Sequence, residues 1–163
     1  KLLECNYENV KPDILILGKS LSGGILPVSG VLTKKSIMDV LTPGTHGSTY
    51  GGNPLASYLT MEAVKIIEEE GLIENSYNIG IYFRDELKKL KLKNVIDIRG
   101  KGLFNAIEFN DAKNAENALY KLRDNGLLTQ ITKKKTLRLT PPLIITKSQI
   151  NKSLEIINTI NLI

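Results

Sequence analysis

Hydrophobic residues along the chain change their spacing several times, and each change marks an element. Four apolar residues in a row, Ile14-Leu15-Ile16-Leu17, follow the turn Pro12-Asp13. A run that short and apolar on both faces predicts a central strand of an α/β sheet, covered on both sides. Pro27 to Thr33 predicts a neighbouring strand, and 34–41 a brief helix stopped by Pro43-Gly44. From Pro54 the spacing becomes helical. Leu55, Leu59, Ala63, Ile66 and Ile67 form one stripe, and Glu68-Glu69-Glu70 and Gly71 end it. Pro54 suits the first helical turn, where a missing N–H costs nothing. A second helix over 72–90 carries Ile79, Tyr82, Phe83, Leu87 and Leu90 as its buried stripe.

Beyond Lys91 the pattern is that of a small α+β domain. Val95 to Gly102 leads into a strand over 103–109, and 112–125 is helical with Gly126 as its C-terminal cap. Strands are predicted over 127–132 and 136–139, joined at Lys133-Lys134-Lys135. Pro141-Pro142 then breaks the chain before a closing helix over 146–160. The boundary falls near 88–95. Residues 1–90 form the last part of a larger α/β domain with its connecting helices, and 91–163 a compact C-terminal α+β domain.

Composition narrows the function classes. The chain has 163 residues, of which 42% are hydrophobic, enough for one sizeable core. The net charge of +5 comes largely from the lysine turn; most other lysines lie at polar helix positions beside glutamates. That is not the basic, aromatic-laced surface of a nucleic-acid binder, so no nucleic-acid partner is expected. No apolar run approaches the roughly 20 residues of a membrane span, so no membrane partner is expected either. Cys5 is the only cysteine and His46 the only histidine, which leaves no disulfide, thiolate cluster or histidine-based metal site to build. Nothing signals export, so the expected location is cytoplasmic, with the mitochondrial matrix as the alternative. The start at Lys1 suggests a chain entered in mid-domain.

The chemistry concentrates at three places. In Leu17-Gly18-Lys19-Ser20-Leu21-Ser22-Gly23-Gly24 a lysine stands between an apolar strand and a glycine turn. A phosphate-binding loop of the G-x-x-x-x-G-K-[ST] type would need glycine where the chain has Asp13, whose carboxylate would face the phosphate. A Schiff-base amine is the better use of Lys19. At the end of a buried strand it is partly desolvated, which lowers its pKa and frees its lone pair. The alternative is a lysine whose stem packs while its amine reaches water. His46-Gly47-Ser48-Thr49-Tyr50-Gly51-Gly52-Asn53-Pro54 supplies hydroxyls and amides that suit a phosphate, helped by the helix start near Pro54; it equally suits a capped glycine turn. Arg138 interrupts an apolar strand, Leu137-Arg138-Leu139-Thr140-Pro141-Pro142. Its guanidinium would meet a structural glutamate or a substrate carboxylate, or alternation would turn it to solvent. Arg99-Gly100-Lys101-Gly102 is a tight turn whose charges fit either a structural or a binding role. Lys133 to Lys135 fit a solvated hairpin turn.

Taken in order, these segments resemble the C-terminal portion of the class III pyridoxal-phosphate aminotransferases. Lys11-Pro12-Asp13 through Gly24, His46 through Pro54, Arg99 through Leu103, Asp124-Asn125-Gly126-Leu127-Leu128 and Leu137 through Leu143 carry the likeness over nearly the whole chain. The resemblance implies an α/β chain of fold type I: the end of the large mixed-sheet domain, followed by the small α+β domain. It implies pyridoxal 5′-phosphate as cofactor, with Lys19 as its covalent partner and as the carrier of the proton between substrate Cα and cofactor C4′. It implies that Ser48 and Thr49 reach across a homodimer interface to the phosphate of the partner's cofactor, and that Arg138 receives a carboxylate of the amino acid or keto acid. Within the family the segments are most similar to members that move the δ-amino group of L-ornithine to 2-oxoglutarate, giving glutamate 5-semialdehyde and glutamate. Acetylornithine or 4-aminobutyrate as donor, or a non-catalytic structural fragment of the fold, are the competing expectations. The glycine loop, ring-stacking aromatic and pyridine-pairing aspartate of the family are absent. The upstream half of the same protein is therefore an expected partner, and the 163 residues alone are expected to show no turnover.

Overall fold

The computed structural model describes residues 1–162 and divides into two compact units, Lys1–Gly71 and Leu72–Ile163.

In the first unit β1 (Ile14–Leu17) pairs antiparallel with β2 (Gly30–Thr33), Ile14 opposite Thr33 and Leu17 opposite Gly30. A 3₁₀ turn, Lys19–Ser22, follows β1. After a single helical turn, α1 (Lys35–Met38), and an exposed loop comes the long helix α2 (Pro54–Glu69). The expectation of a doubly covered strand does not hold within this chain: β1 alternates exposed and half-buried residues, and Ile16 is 73% exposed. The ribbon has only two strands, so no neighbouring strand flanks either edge and both faces keep open apolar side chains. The stripe of α2 is likewise thinly covered. Ala56 is buried, whereas Leu55 and Ile66 are exposed.

The second unit is a four-stranded antiparallel sheet, β3 (Val95–Lys101), β4 (Phe104–Phe109), β5 (Gln130–Thr132) and β6 (Thr136–Leu139), in the order β3-β4-β6-β5. Three helices, α3 (Leu72–Lys89), α4 (Ala112–Asp124) and α5 (Lys147–Asn158), share one core with it. Alternation along β4 sends Asn105, Ile107 and Phe109 inward, and Leu137 and Leu139 of β6 join them opposite Ile107 and Asn105. Phe83 and Leu87 of α3, Ala115, Ala118 and Leu122 of α4, and Ile150, Leu154 and Ile157 of α5 complete the layer. The stripe of α3 is the one the periodicity predicts, and it packs into the core of the second unit.

Local chemistry fixes the ends. Asp111 accepts from the Asn114 amide to start α4, and Gly126, at φ 86°, ends it while the Leu127 amide returns to Leu122 O. Thr146 and Gln149 form a reciprocal capping box on α5. Residues 95–101, read as a lead-in to a strand with a tight turn at 99–102, are themselves a strand. Asp97, Arg99 and Lys101 share one face of this edge strand, where charged side chains are tolerated, and a register shift between Val95 and Asp97 interrupts the alternation.

Candidate active site

Lys19 opens the turn after β1 and has a left-handed backbone, φ 54°, which side-chain-bearing residues rarely adopt. Its surroundings hold that conformation. The buried Ser22 hydroxyl donates to Leu26 O and accepts from the Leu26 amide, closing the turn 22–26. Gly23 and Gly24, both left-handed, make the reversal that a Cβ would oppose. The Lys19 side chain is exposed, contrary to the desolvation expected of a strand end, because none of the described residues covers it. Among the described residues it has no ion-pair partner, and it borders a hollow of about 510 Å³ with Gly24, Leu26, Pro27, Val28 and Ser29.

Residues Leu26 to Ser29 also wall a second hollow, of about 600 Å³, whose far side is Ser48, Tyr50 to Asn53 and the first turn of α2. The segment after Lys19 and the loop containing Ser48 thus share one wall within the first unit. Ser48 and Thr49 are exposed, as is His46. The Ser48 carbonyl accepts from the Gly51 amide and the Tyr50 carbonyl from that of Asn53, so the loop is two consecutive turns. The helix start contributes less to an anion than expected. Pro54 has no N–H, the Asn53 side chain takes the Ala56 amide, and the Asn53 carbonyl takes that of Ser57. The Ser48 and Thr49 hydroxyls and the loop amides are what this loop offers an anion.

Arg138 lies in the second unit, on the face of the sheet opposite the helices. It pairs with Ala106 on one side and Gln130 on the other. The Gln130 side-chain carbonyl accepts from Arg138 Nη2 at 2.8 Å, and the Thr129 hydroxyl donates to Arg138 O at 2.7 Å. Arg138 Nε is buried with no partner, and no carboxylate of the described residues pairs with the guanidinium. Arg138 to Pro142 and Gly126 to Gln130 line a cleft of about 460 Å³ together with Phe83 of α3, Ile145, and Ile150 and Ser153 of α5. Of the readings open from sequence, the structural glutamate is excluded within the chain. A guanidinium held by a neutral glutamine and paired with no carboxylate is suited to an incoming one.

The remaining charges are structural. Arg99 donates to Asp97 and Glu108, and Lys135 meets the other Glu108 oxygen at 3.0 Å. Lys135, then Arg99, holds the Glu108 carboxyl below its usual range, while Asp97 and Glu108 raise Arg99. Lys133 and Lys134 form the hairpin turn expected of them. Sequence reasoning passed over Gln130 and Thr129. Their only signal was position, eight and nine residues before an arginine across a short turn.

A family model described as aminotransferase class-III matches residues 1–160. The chain belongs to the class-III aminotransferases. An ornithine aminotransferase of Drosophila ananassae, named mitochondrial, is 48% identical over 157 residues, covering 96% of this chain and 36% of its own length. An acetylornithine aminotransferase from Elizabethkingia anophelis superposes with a TM-score of 0.93 at 47% identity, covering 99% of this chain and 44% of that one. An ornithine aminotransferase from Toxoplasma gondii, with PLP at partial occupancy in its active site, superposes with a TM-score of 0.93 at 41% identity, over 99% and 39%. This class-III chain thus has the α/β architecture of fold type I, and it spans about two-fifths of the length of the relatives it matches. The cytoplasmic expectation is corrected by the relatives. Besides the Drosophila ananassae protein, ornithine aminotransferases of Rattus norvegicus and Drosophila melanogaster are named mitochondrial. No described helix is long and apolar enough to cross a membrane.

Proposed function

We propose that the protein carrying this sequence transfers the δ-amino group of L-ornithine to 2-oxoglutarate, giving glutamate 5-semialdehyde and glutamate, with pyridoxal 5′-phosphate as cofactor. The observation that carries the reading is Lys19: an unpaired amine on a held, left-handed backbone beside an open hollow, in a chain matched to class-III aminotransferases from end to end. The residues fit the cofactor, since Gly24 leaves open space where a side chain would stand and no carboxylate competes for the amine. When bound, the cofactor supplies an electron sink for the carbon that loses its proton.

This chain's residues supply position and proton transfer. Lys19 would hold the cofactor through its Nζ, and once released by the substrate amine it would carry the proton to and from the reacting carbon. Ser48 and Thr49 would help hold the cofactor's phosphate through their hydroxyls, across the interface of a homodimer. Arg138 receives a substrate carboxylate through its planar fork, which fixes the reacting carbon in register. The upstream part of the protein forms the rest of the site. The division into 1–90, the end of the cofactor-binding domain, and 91–163, the small domain, belongs to the same proposal, with α3 as the connecting helix.

Acetylornithine as the donor is the second reading, favoured by the 47% identity to the Elizabethkingia anophelis structure. A donor panel of ornithine, acetylornithine and 4-aminobutyrate on the full-length protein decides between them. Replacing Lys19 by alanine lowers turnover by about 10⁴-fold or more and abolishes the pyridoxyl adduct trapped on this peptide by borohydride. An active Lys19→Ala enzyme would remove the catalytic assignment and leave a structural relative.

A further inference from the structure

Arg138 is held at both ends by two adjacent residues. Thr129 bonds its carbonyl, and Gln130 bonds Nη2 of its guanidinium. Gln130 is also its cross-strand partner, so their Cα atoms are fixed about 5 Å apart by the β5–β6 ladder. A hydrogen bond between side chains already neighbouring on one sheet face needs little further ordering, and the cationic donor strengthens it. The third constraint is Nε, which is buried and has no acceptor. A carboxylate can meet a guanidinium side-on, through Nε and one terminal nitrogen, or end-on, through both terminal nitrogens. Burial closes the side-on route through Nε. The Gln130 bond takes one Nη2 hydrogen and leaves Nη1 open to a carboxylate.

We infer that Gln130 is a positioning residue for substrate: it orients the Arg138 guanidinium so that Nη1 is presented to a carboxylate. The inference deepens the proposed function and rests on Arg138 being the carboxylate site. Gln130 acts through Arg138, and being neutral it does so without offering a rival anion. A glutamate there would set a carboxylate on the same guanidinium and compete with substrate.

The test uses the full-length enzyme and three variants, Gln130→Glu, Gln130→Met and Arg138→Lys. Steady-state kinetics with 2-oxoglutarate are measured alongside calorimetric binding of glutarate, an unreactive dicarboxylate, and the thermal midpoint. For Gln130→Glu, KM for 2-oxoglutarate and Kd for glutarate should rise about tenfold, with kcat within about twofold and an unchanged or higher midpoint. Gln130→Met, which keeps the length but removes the acceptor, should raise both constants about threefold. Unchanged KM and Kd in both Gln130 variants would overturn the inference. Equal losses in both, accompanied by a lowered midpoint, would do so too, since they would make Gln130 a strand residue only. Arg138→Lys separates the two levels. If it leaves KM and Kd unaltered, the carboxylate assignment falls and the inference falls with it. If it raises them while the Gln130 variants do not, only the role of Gln130 is lost.

Discussion

Side chains placed on left-handed backbone mark two different uses of strain. Lys19 has φ 54° beside an open hollow, and Lys133 and Lys134 have φ 48° and 66° in a hairpin turn. At the hairpin the strain has no chemical use, because neither residue lies in the lining of a described cavity and a glycine would fill the same turn. Lys134→Gly should therefore raise stability by about 0.5 to 1 kcal/mol, the relief of a left-handed residue less the entropy glycine adds to the unfolded chain. The urea midpoint of this chain measures it; an unchanged or lower midpoint would show that the turn holds lysine without strain. Of the candidate residues, Lys19 and Arg138 were legible because each breaks an apolar run. The backbone conformation of Lys19, its exposure and the Gln130 contact were not, since they depend on turn closure and cross-strand register.

Helix α3 shows how an element carries more than its apolar stripe. Ser76, Gly80 and Arg84 recur at four-residue spacing along one face and grip the β3–β4 turn. Ser76 Oγ accepts from the Leu103 amide at 3.1 Å, and Arg84 donates to Gly102 O and to the Asn105 side chain, both at 2.7 Å. Gly80 lies so close that an added Cβ would stand 2.0 Å from Gly102 O. Gly80→Ala should cost at least about 3 kcal/mol in chemical unfolding, since backbone must move on both sides. Gly126→Ala, where a Cβ meets nothing and only the left-handed conformation opposes it, should cost about 1 kcal/mol. Similar losses for the two would refute the close-packing account. Periodicity predicted α3 and its stripe, because apolar spacing is a local property. It did not predict the grip, which depends on which turn the opposite face meets, nor β3, whose alternation is interrupted by the register shift between Val95 and Asp97.

At the scale of the whole molecule, stability and chemistry are unevenly shared. The hydrophobic core cluster lies entirely within 72–163, whereas the first unit, which holds Lys19, buries only Ser22 and Ala56. Limited proteolysis of this chain alone should cut first within the exposed loop 39–53 and leave a resistant fragment close to 72–163, read by mass spectrometry. A first unit that resists as long as the second would contradict this. The fold class was legible because motif order runs along the whole chain. The missing cover of β1 was not, since an apolar run states that a strand wants burial without saying what supplies it. Synthesis gives the imbalance a direction in time. The unit without a core leaves the ribosome first, and at ordinary elongation rates about 5 to 20 seconds pass before the last strand and helix of the second unit follow. Ile16, Val31, Leu32 and Leu55 stay exposed even when the second unit has formed, so when this chain is made by itself its first unit is the part that needs a chaperone's protection.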